Sequence, residues 1–399
     1  MNNTEHKSTF STELLNWYMV SKRDLPWRRH RDPYMIWISE IMLQQTRVDT
    51  VIPYFQRFTE RFPTIQALAE APEEDVLKHW EGLGYYSRAR NLQLAARQIM
   101  ELYDGRMPDD VEAVAGLKGV GPYTTGAIMS IAFNRPVPAV DGNVMRVLSR
   151  YFLIEDDIMK QGTRKQMEAL VRELFPEGQA SHFTQAMMEL GALVCTPKSP
   201  HCLTCPVMEH CAGRLAGVEE TLPVKTKAKP PRPEERLVAL VEGRGSRSGR
   251  VLVRQRPAKG LLARMWELPH VLAAASAGTA PAGDGAMDRL AGALREEGVG
   301  VAPVRHLLNA EHTFSHIHWN LQVFQCEEAP AALPEPGHAA AAAQVAEAAA
   351  AYAESGALDA APPEPVAYRW ITAADMDTLA FPNVFLKILR NYFSAQDEQ

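Results

Sequence analysis

The sequence predicts a multidomain chain in three parts: an all-α first half, a cysteine knot at its end, and an α+β second unit. Three observations predict it. From residue 10 to about 194, apolar residues recur at three- and four-residue spacing, broken by Asp, Pro and Gly. Four cysteines then fall within 17 residues, at Cys195, Cys202, Cys205 and Cys211. Beyond them the texture changes to TLPVKTKAKPPRPEE, the composition of a semi-rigid connector, and then to runs of β-branched residues. The expected divisions are residues 1–215, a linker at 216–234 and a second unit at 235–393. A chain of 399 residues with 46% hydrophobic content can bury the separate cores that this division needs.

Each element has a local reason. DPYMIWISEIMLQQT offers Asp32 as N-cap and Pro33 at the first helical position. PEEDVLKHWEGL and SRARNLQLAARQIMELY read as helices around the loop GLGYY. DDVEAVAGLKGVGPYTTGAIMSIAF reads as a helix, a tight glycine hairpin and a second helix, and DGNVMRVLSRYF begins again at a capping aspartate, Asp141. Past the connector, RLVALVEG, GRVLVRQRP and WNLQVFQCE have the look of strands, and AMDRLAGALREEG of a helix. AAASAGTAPAGDGA and the alanine- and proline-rich residues 329–365 are low-complexity segments, expected as surface insertions, with the alanine run compatible with a helix.

The net charge of −6 argues against a uniformly basic nucleic-acid binder. Residues 1–230 carry 27 Lys and Arg against 28 Asp and Glu, so the acidity lies mainly in the second unit, at 15 against 20. Local patches remain: Lys22, Arg23, Arg28, Arg29 and Arg31 crowd into ten residues, and Arg88 and Arg90 follow Tyr85 and Tyr86. Such patches can hold a phosphate backbone, or be solvated surface. No secretory leader and no run of about 18 apolar residues is seen, so a soluble cytoplasmic protein with reduced thiols is expected.

Four groups of residues can carry chemistry. Gly119 and Gly121, followed by Pro122, fit a hairpin whose backbone N–H groups face a phosphate, and fit an ordinary helix–helix turn equally well. Glu40 shares a helix face with Ile36 and Leu43; burial there would raise its pKa and keep a proton available near neutrality, unless it merely borders the buried face. Asp141, at a helix start, would be favoured as the ionised form, or be only a cap. One acid kept protonated and one kept ionised is a division of labour that glycosidic-bond cleavage uses. The four cysteines, spaced C-x6-C-x2-C-x5-C, suit zinc or an iron–sulfur cluster, and spacing alone leaves the two open. Cys326 stands alone and reads as a buried free thiol.

Taken in order, LPWRRHRDPYMIWISEIMLQQTRVDTVIPYFQRF, GLGYYSRARNL, GVGPYTTGAI, VDGNVMRVLSRYF and the cysteine knot resemble the helix-hairpin-helix DNA glycosylases of the endonuclease III superfamily, and within it the adenine DNA glycosylase family. The resemblance is dense over residues 10–215. A weaker one covers the second unit, where HTFSHIHWNL is similar to the Phe-Ser-His loop of the family's Nudix-like domain.

The resemblance implies a helix-hairpin-helix glycosylase core with a 4Fe-4S cluster on Cys195, Cys202, Cys205 and Cys211, followed by a Nudix-like domain that recognises 8-oxoguanine. It implies that Glu40 protonates the departing adenine and then activates water, that Asp141 stabilises the oxocarbenium-like sugar, and that Asn143 neighbours them. Trp27, Arg28, Leu43 and Gln185 would line the pocket for the flipped adenine. Gln45, Thr46, Leu83 and Tyr85 would surround the opposing 8-oxoguanine, with Phe314, Ser315 and His316 touching it from the second domain. The implied partner is double-stranded DNA with A:8-oxoG or A:G mispairs, bound by a monomer without a membrane, in a bacterial-type cytoplasm.

Two rivals remain. Bifunctional endonuclease III-type glycosylase/lyases resemble the chain but carry a lysine nucleophile where Tyr123 stands. A phenol cannot form their Schiff base, so Tyr123 implies base removal without strand cleavage, with the ring positioning the nucleotide or Asp141. A non-catalytic DNA-binding or electron-transfer protein would have no use for both Glu40 and Asp141.

Overall fold

The computed structural model describes residues 3–227, 229–273, 285–329 and 366–397. Both low-complexity segments, at 274–284 and 330–365, lie outside the described residues, and so does the expectation of surface insertions there. The chain divides into two compact units. One is Met1–His79 with Arg88–Ala228; the other is Lys229–Gln399 with the short segment Trp80–Ser87.

Every regular element of the first unit is helical among the described residues, as the spacing predicts. Helix α1 (Asn3–Ser21) leads into a 3-10 turn, Pro26–Arg28, and then α2 (Pro33–Leu43). The Asp32 side chain accepts the Tyr34 N–H at 2.9 Å, and Pro33 supplies the preset φ of a first helical residue. There follow α3 (Val48–Arg61), α4 (Ile65–Glu70), α5 (Glu73–Trp80), α6 (Ser87–Leu102) and α7 (Val111–Ala115). The hairpin then opens α8 (Pro122–Ala127), which runs on as a π-helical turn over Ile128–Ala132. Last come α9 (Gly142–Tyr151), α10 (Gln161–Leu174), α11 (Ala180–Leu193) and α12 (Ala212–Leu215). One apolar core, with Phe10, Leu14, Leu148, Met167, Phe183 and Leu190 at its centre, joins α1, α9, α10 and α11.

The end of α2 corrects one expectation. Arg88, expected in a patch that either holds a phosphate backbone or is solvated surface, is 9% exposed and turned inward. Its Nη1 donates to the carbonyls of Ile41, Met42 and Gln44 at 2.8, 3.0 and 2.6 Å, groups that a helix end leaves without partners. A surface arginine and a carbonyl cap look alike in sequence; here the cation fixes the helix that carries Glu40.

Among the described residues the second unit is built on a seven-stranded sheet of β1 (Arg232–Glu242), β2 (Val251–Gln255), β3 (Trp266–Glu267), β4 (His270–Leu272), β5 (Val301–Thr313), β6 (Ile317–Glu328) and β7 (Tyr368–Ile371). Its main path is β3-β2-β1-β6-β5, with β4 paired to β1 and β7 to β2. β1 and β6 are parallel and the other pairs antiparallel. β1 is a continuous buried run from Leu237 to Val241 because a core covers each face. Helix α13 (Ala286–Glu296) supplies one core through Leu290 and Leu294; helix α14 (Asn383–Asp397) supplies the other through Phe385 and Leu389. Cys326 is fully buried beside Phe324. Residues 216–227, expected as linker, pack on the first unit: Leu222 O accepts from Arg150 and Val224 O from Ile158, each at 3.0 Å.

Candidate active site

The reaction site that the sequence implies is assembled wholly within the first unit. A cavity of about 160 Å³ is lined by Trp27, Arg28, Glu40, Leu43, Thr46, Tyr123, Asp141, Asn143 and Gln185, among others. This is close to the ~150 Å³ known to hold a benzene ring, so one face of a flat base fits. Of the residues expected at chemistry and adenine binding, all eight line it, together with Thr46.

Glu40 is held inside the apolar stripe that Ile36 begins, at 5% exposure. Tyr123, at the start of α8, donates its phenol O–H to Glu40 Oε2 at 2.6 Å. Burial pushes the Glu40 carboxyl up to about 7; the nearby Asp141 charge adds to this, and the Tyr123 hydrogen bond and Arg28 oppose it. Burial and the two carboxylates also hold the Tyr123 phenol well above its ordinary value, so it stays a donor. The bond to Glu40 is the one the sequence reading missed, having assigned the ring to the nucleotide or to Asp141.

Asp141 caps α9. Its Oδ1 accepts the Val144 N–H at 2.8 Å and its Oδ2 accepts from Asn143 Nδ2 at 2.9 Å. These donors favour the ionised form as expected, yet burial outweighs them and the Asp141 pKa is raised overall. The two carboxyls therefore differ in hydrogen-bond supply, since Val144 and Asn143 both donate to Asp141 and Tyr123 alone to Glu40. Asn143 is fixed in turn by Arg146, which also donates to Gly191 O and Cys195 O at 2.7 and 2.8 Å. A continuous hydrogen-bonded path thus joins Asp141 to the cysteine loop.

The hairpin places α8 against the segment that ends in Asp141. Gly119 has φ +76°, a region that favours glycine. Gly126 allows a contact no other residue would, since a Cβ there would lie 1.9 Å from Pro138 O. A second, wider groove of about 520 Å³ is lined by Leu43, Gln44, Gln45, Gly119, Gly121, Tyr123 and Asp141, so it opens beside the reaction cavity. Gln45 takes φ +56° at the turn after α2.

The other residues expected around the opposing base are in the second unit. Leu83 is 7% exposed, whereas Tyr85 is 47% exposed with φ +47°. Their loop is tied within that unit by the Phe381 N–H donating to Glu81 Oε1 at 2.8 Å. Phe314, Ser315 and His316 form the turn between β5 and β6, closed by the Phe314 N–H on Ile317 O at 2.7 Å. The Phe314 ring packs edge-on against the buried Trp319, while Ser315 and His316 are exposed.

The chain matches three families: the HhH-GPD superfamily base excision DNA repair proteins over residues 38–176, the NUDIX domain over 244–391, and the iron-sulfur binding domain of endonuclease III over 195–211. It is 37% identical over 383 residues to the adenine DNA glycosylase of Rattus norvegicus, spanning 83% of this chain and 73% of that protein. With the human adenine DNA glycosylase the identity is 39% over 368 residues, spanning 79% of this chain and 66% of that protein. The chain belongs to the adenine DNA glycosylase family. Among solved structures it is similar to a thermostable thymine-DNA glycosylase, 29% identical with a TM-score of 0.49, covering 53% of this chain and 98% of that one.

As a member of that family the protein is a DNA glycosylase of base excision repair whose cofactor is a 4Fe-4S cluster. The cysteine loop fits the cluster. Cys195, Cys202, Cys205 and Cys211 line one small pocket, also bounded by Val194, Pro200 and Met208 and by the charged Arg150, Arg214 and Glu219. Four thiolates around one pocket are the donor set an iron–sulfur cluster takes. Arg150, 2% exposed, donates to Cys195 Sγ at 3.3 Å and to Thr196 O at 2.7 Å, so a buried cation supports the thiolate charge. Burial pushes the Cys205 thiol up to about 12, so assembly of the cluster must displace its proton.

The cavity also contains a residue that sequence reasoning missed. Glu189, 1% exposed on α11, lines the reaction cavity and binds both Arg23 and Arg28. The available signal was its position one helical turn after Gln185, which puts both on one face.

Proposed function

We propose that the protein removes adenine opposite 8-oxoguanine or guanine by hydrolysis and leaves the abasic strand uncut. The observation that carries this reading is the Tyr123–Glu40 hydrogen bond inside a ring-sized cavity whose lining includes Asp141 and contains no lysine. A lyase needs an amine to attack the sugar; this wall presents a phenol.

The steps follow from the groups present. The mispaired adenine is flipped from the duplex, because its glycosidic bond is otherwise enclosed by the stack. Glu40, which burial keeps protonated up to about neutral pH, gives its proton to a ring nitrogen of the base. The C1′–N9 bond breaks, its electron pair leaves with adenine, and the Asp141 carboxylate stabilises the positive sugar. Water adds to C1′ while the Glu40 carboxylate takes its proton, which restores the acid. Trp27, Leu43, Arg28 and Gln185 hold the base, and Asn143 holds Asp141.

Recognition of the opposing base falls to residues beside this cavity and in the second unit. Gln45 and Thr46 stand at the turn after α2, and exposed Tyr85 offers a stacking face, with Leu83 buried in the same loop. Ser315 and His316 present polar atoms from the exposed β5–β6 turn, which Phe314 anchors. We assign residues 1–215 to catalysis, 216–234 to connection and 235–393 to 8-oxoguanine recognition by a protein acting as a cytoplasmic monomer, with Gly119 and Gly121 facing a phosphate.

The test is excision from duplexes with adenine opposite 8-oxoguanine, guanine or thymine, analysed with and without alkali. Free adenine is expected from the first two, fastest from the 8-oxoguanine pair, with strand breaks only after alkali. Breaks before alkali, with a borohydride-trapped adduct, would assign the protein to the lyases instead. Equal rates opposite 8-oxoguanine and guanine would remove the recognition role of the second unit.

A further inference from the structure

Glu189 is the one buried acid in the reaction cavity that the proposed chemistry does not use. Its Oε1 accepts the Arg23 backbone N–H at 3.0 Å and Arg23 Nε at 2.9 Å. Its Oε2 accepts Arg23 Nη2 at 2.7 Å and Arg28 Nη2 at 2.8 Å. Arg28 reaches back through Nη1 to Arg23 O at 3.3 Å, which closes the cluster. Four charge-assisted bonds to one carboxylate make a geometry that a neutral amide or a shorter acid cannot reproduce. Although burial alone would push Glu189 up, the two arginines outweigh it and hold the carboxyl at about 2.

The two arginines are not remote from the reaction. Both line the cavity of Glu40, and both line a second cavity of about 230 Å³ that shares Trp27 and Gln185 with the first. The charge of Arg28 is felt by Glu40 and opposes its proton. The other groups acting on Glu40 are Tyr123 from α8 and Asp141 from the cap of α9. Around Glu189 stand Arg23, Arg28 and the Tyr18 phenol of α1, while Asp49 of α3 acts on Arg23. An acid that must stay neutral within reach of the Arg28 charge needs a counter-charge close to that arginine, and Glu189 is the carboxylate in contact with both Arg28 and its neighbour Arg23.

We propose that Glu189 is a positioning residue: it fixes Arg23 and Arg28 in the wall of the base pocket and offsets the Arg28 charge that reaches Glu40. The inference rests on the reading of Glu40 as the proton donor. It assigns Glu189 no contact with the base.

The experiment compares single-turnover adenine release against pH, with duplex affinity, in the full-length, cluster-loaded protein and its Glu189→Gln, Glu189→Asp and Arg23→Gln/Glu189→Gln variants. Glu189→Gln is expected to move the alkaline limb of the profile down by about one pH unit, the size of effect a nearby charge produces. Its rate at pH 7.5 falls on the order of tenfold, with affinity for undamaged duplex unchanged. The double variant, which restores the local net charge, returns the limb toward its original place, and Glu189→Asp falls between.

A Glu189→Gln protein with a lower melting temperature but an unmoved limb would reduce Glu189 to a structural ion pair and overturn the proposal. A double variant whose limb stays shifted would overturn the charge offset. If Glu189→Gln does not fold, the double variant and Glu189→Asp carry the same comparison. Glu40→Gln in parallel separates the two levels: retained excision there defeats the reading of Glu40, whereas lost excision with an unmoved Glu189→Gln limb defeats only this proposal.

Discussion

Glu40 in the first unit and Glu267 in the second are buried to similar depth, at 5% and 1% exposure, yet their carboxyls move in opposite directions. Glu267 receives Arg254 Nε at 3.0 Å, Arg256 Nη1 at 2.7 Å and His270 Nε2 at 2.9 Å, and these partners overcome its burial and hold it well below the usual carboxylate range. Glu40 has one neutral donor, Tyr123, and rises to about 7. Burial alone therefore does not mark a working acid. What marks Glu40 is burial without enough counter-charge, beside an open cavity, whereas Glu267 is a satisfied structural ion whose neighbours cover it.

Substituting each glutamate by glutamine breaks the comparison most directly. Glu40→Gln removes the proposed general acid and base at once and should lower single-turnover adenine release by at least about a thousandfold, within the range such groups supply. Its stability should move the other way. The folded-state pKa of Glu40 is raised, so its contribution is fully present below about 4.5 and is lost as pH rises through about 7. Above pH 7 the variant, having no charge to bury, should melt higher than the parent, by up to about 3 kcal/mol for the full shift. A lower melting temperature at pH 8.5 would show that Glu40 is held by more than burial.

Glu267→Gln should give the converse. The Glu267 pKa is depressed, so its stabilisation is present above the ordinary carboxylate pKa and lost as pH falls below it. At pH 7 the variant leaves Arg254 and Arg256 without their shared anion and should destabilise the second unit by about 3–5 kcal/mol. Adenine release from an A:G duplex, which we assign to the first unit, should persist at temperatures where that unit is intact. Thermal melting over pH 4 to 8 checks the sign: the difference from the parent should shrink in acid for Glu267→Gln.

The contrast also explains what could be seen in the sequence. Ile36, Glu40 and Leu43 share a helix face by spacing, so a carboxylate in an apolar stripe was legible. The Asp141 cap was legible because capping is local: its bonds reach only two and three residues along the chain. Arg88 was not, since its three carbonyl partners lie more than forty residues away and only the fold shows that it points inward. Glu189 looked like any polar helix residue until α11 met the turn carrying Arg23 and Arg28. In the second unit the strand β1 was visible through its β-branched residues, but its parallel pairing with β6, some 85 residues later, is a choice that local pattern does not contain.

Tyr123→Phe probes the smallest difference between the two acids, the single hydrogen bond to Glu40. That bond favours the carboxylate, so its loss should raise the Glu40 pKa and move the alkaline limb of excision up, opposite in sign to Glu189→Gln. A bond to a charged group is worth about 1.5–3 kcal/mol, which bounds the move to about one or two pH units. At pH 6, where Glu40 is mostly protonated in both proteins, the rates should lie within about fivefold, because the phenol donates no proton to the base and the ring still packs against Ile36 and Ile131. At pH 9 the variant should be the faster of the two. An unmoved limb would mean that the 2.6 Å contact does not bias Glu40 between its two forms. The acid would then be set by burial and the charges of Asp141 and Arg28 alone, and the role of Tyr123 would reduce to the place it denies a lysine.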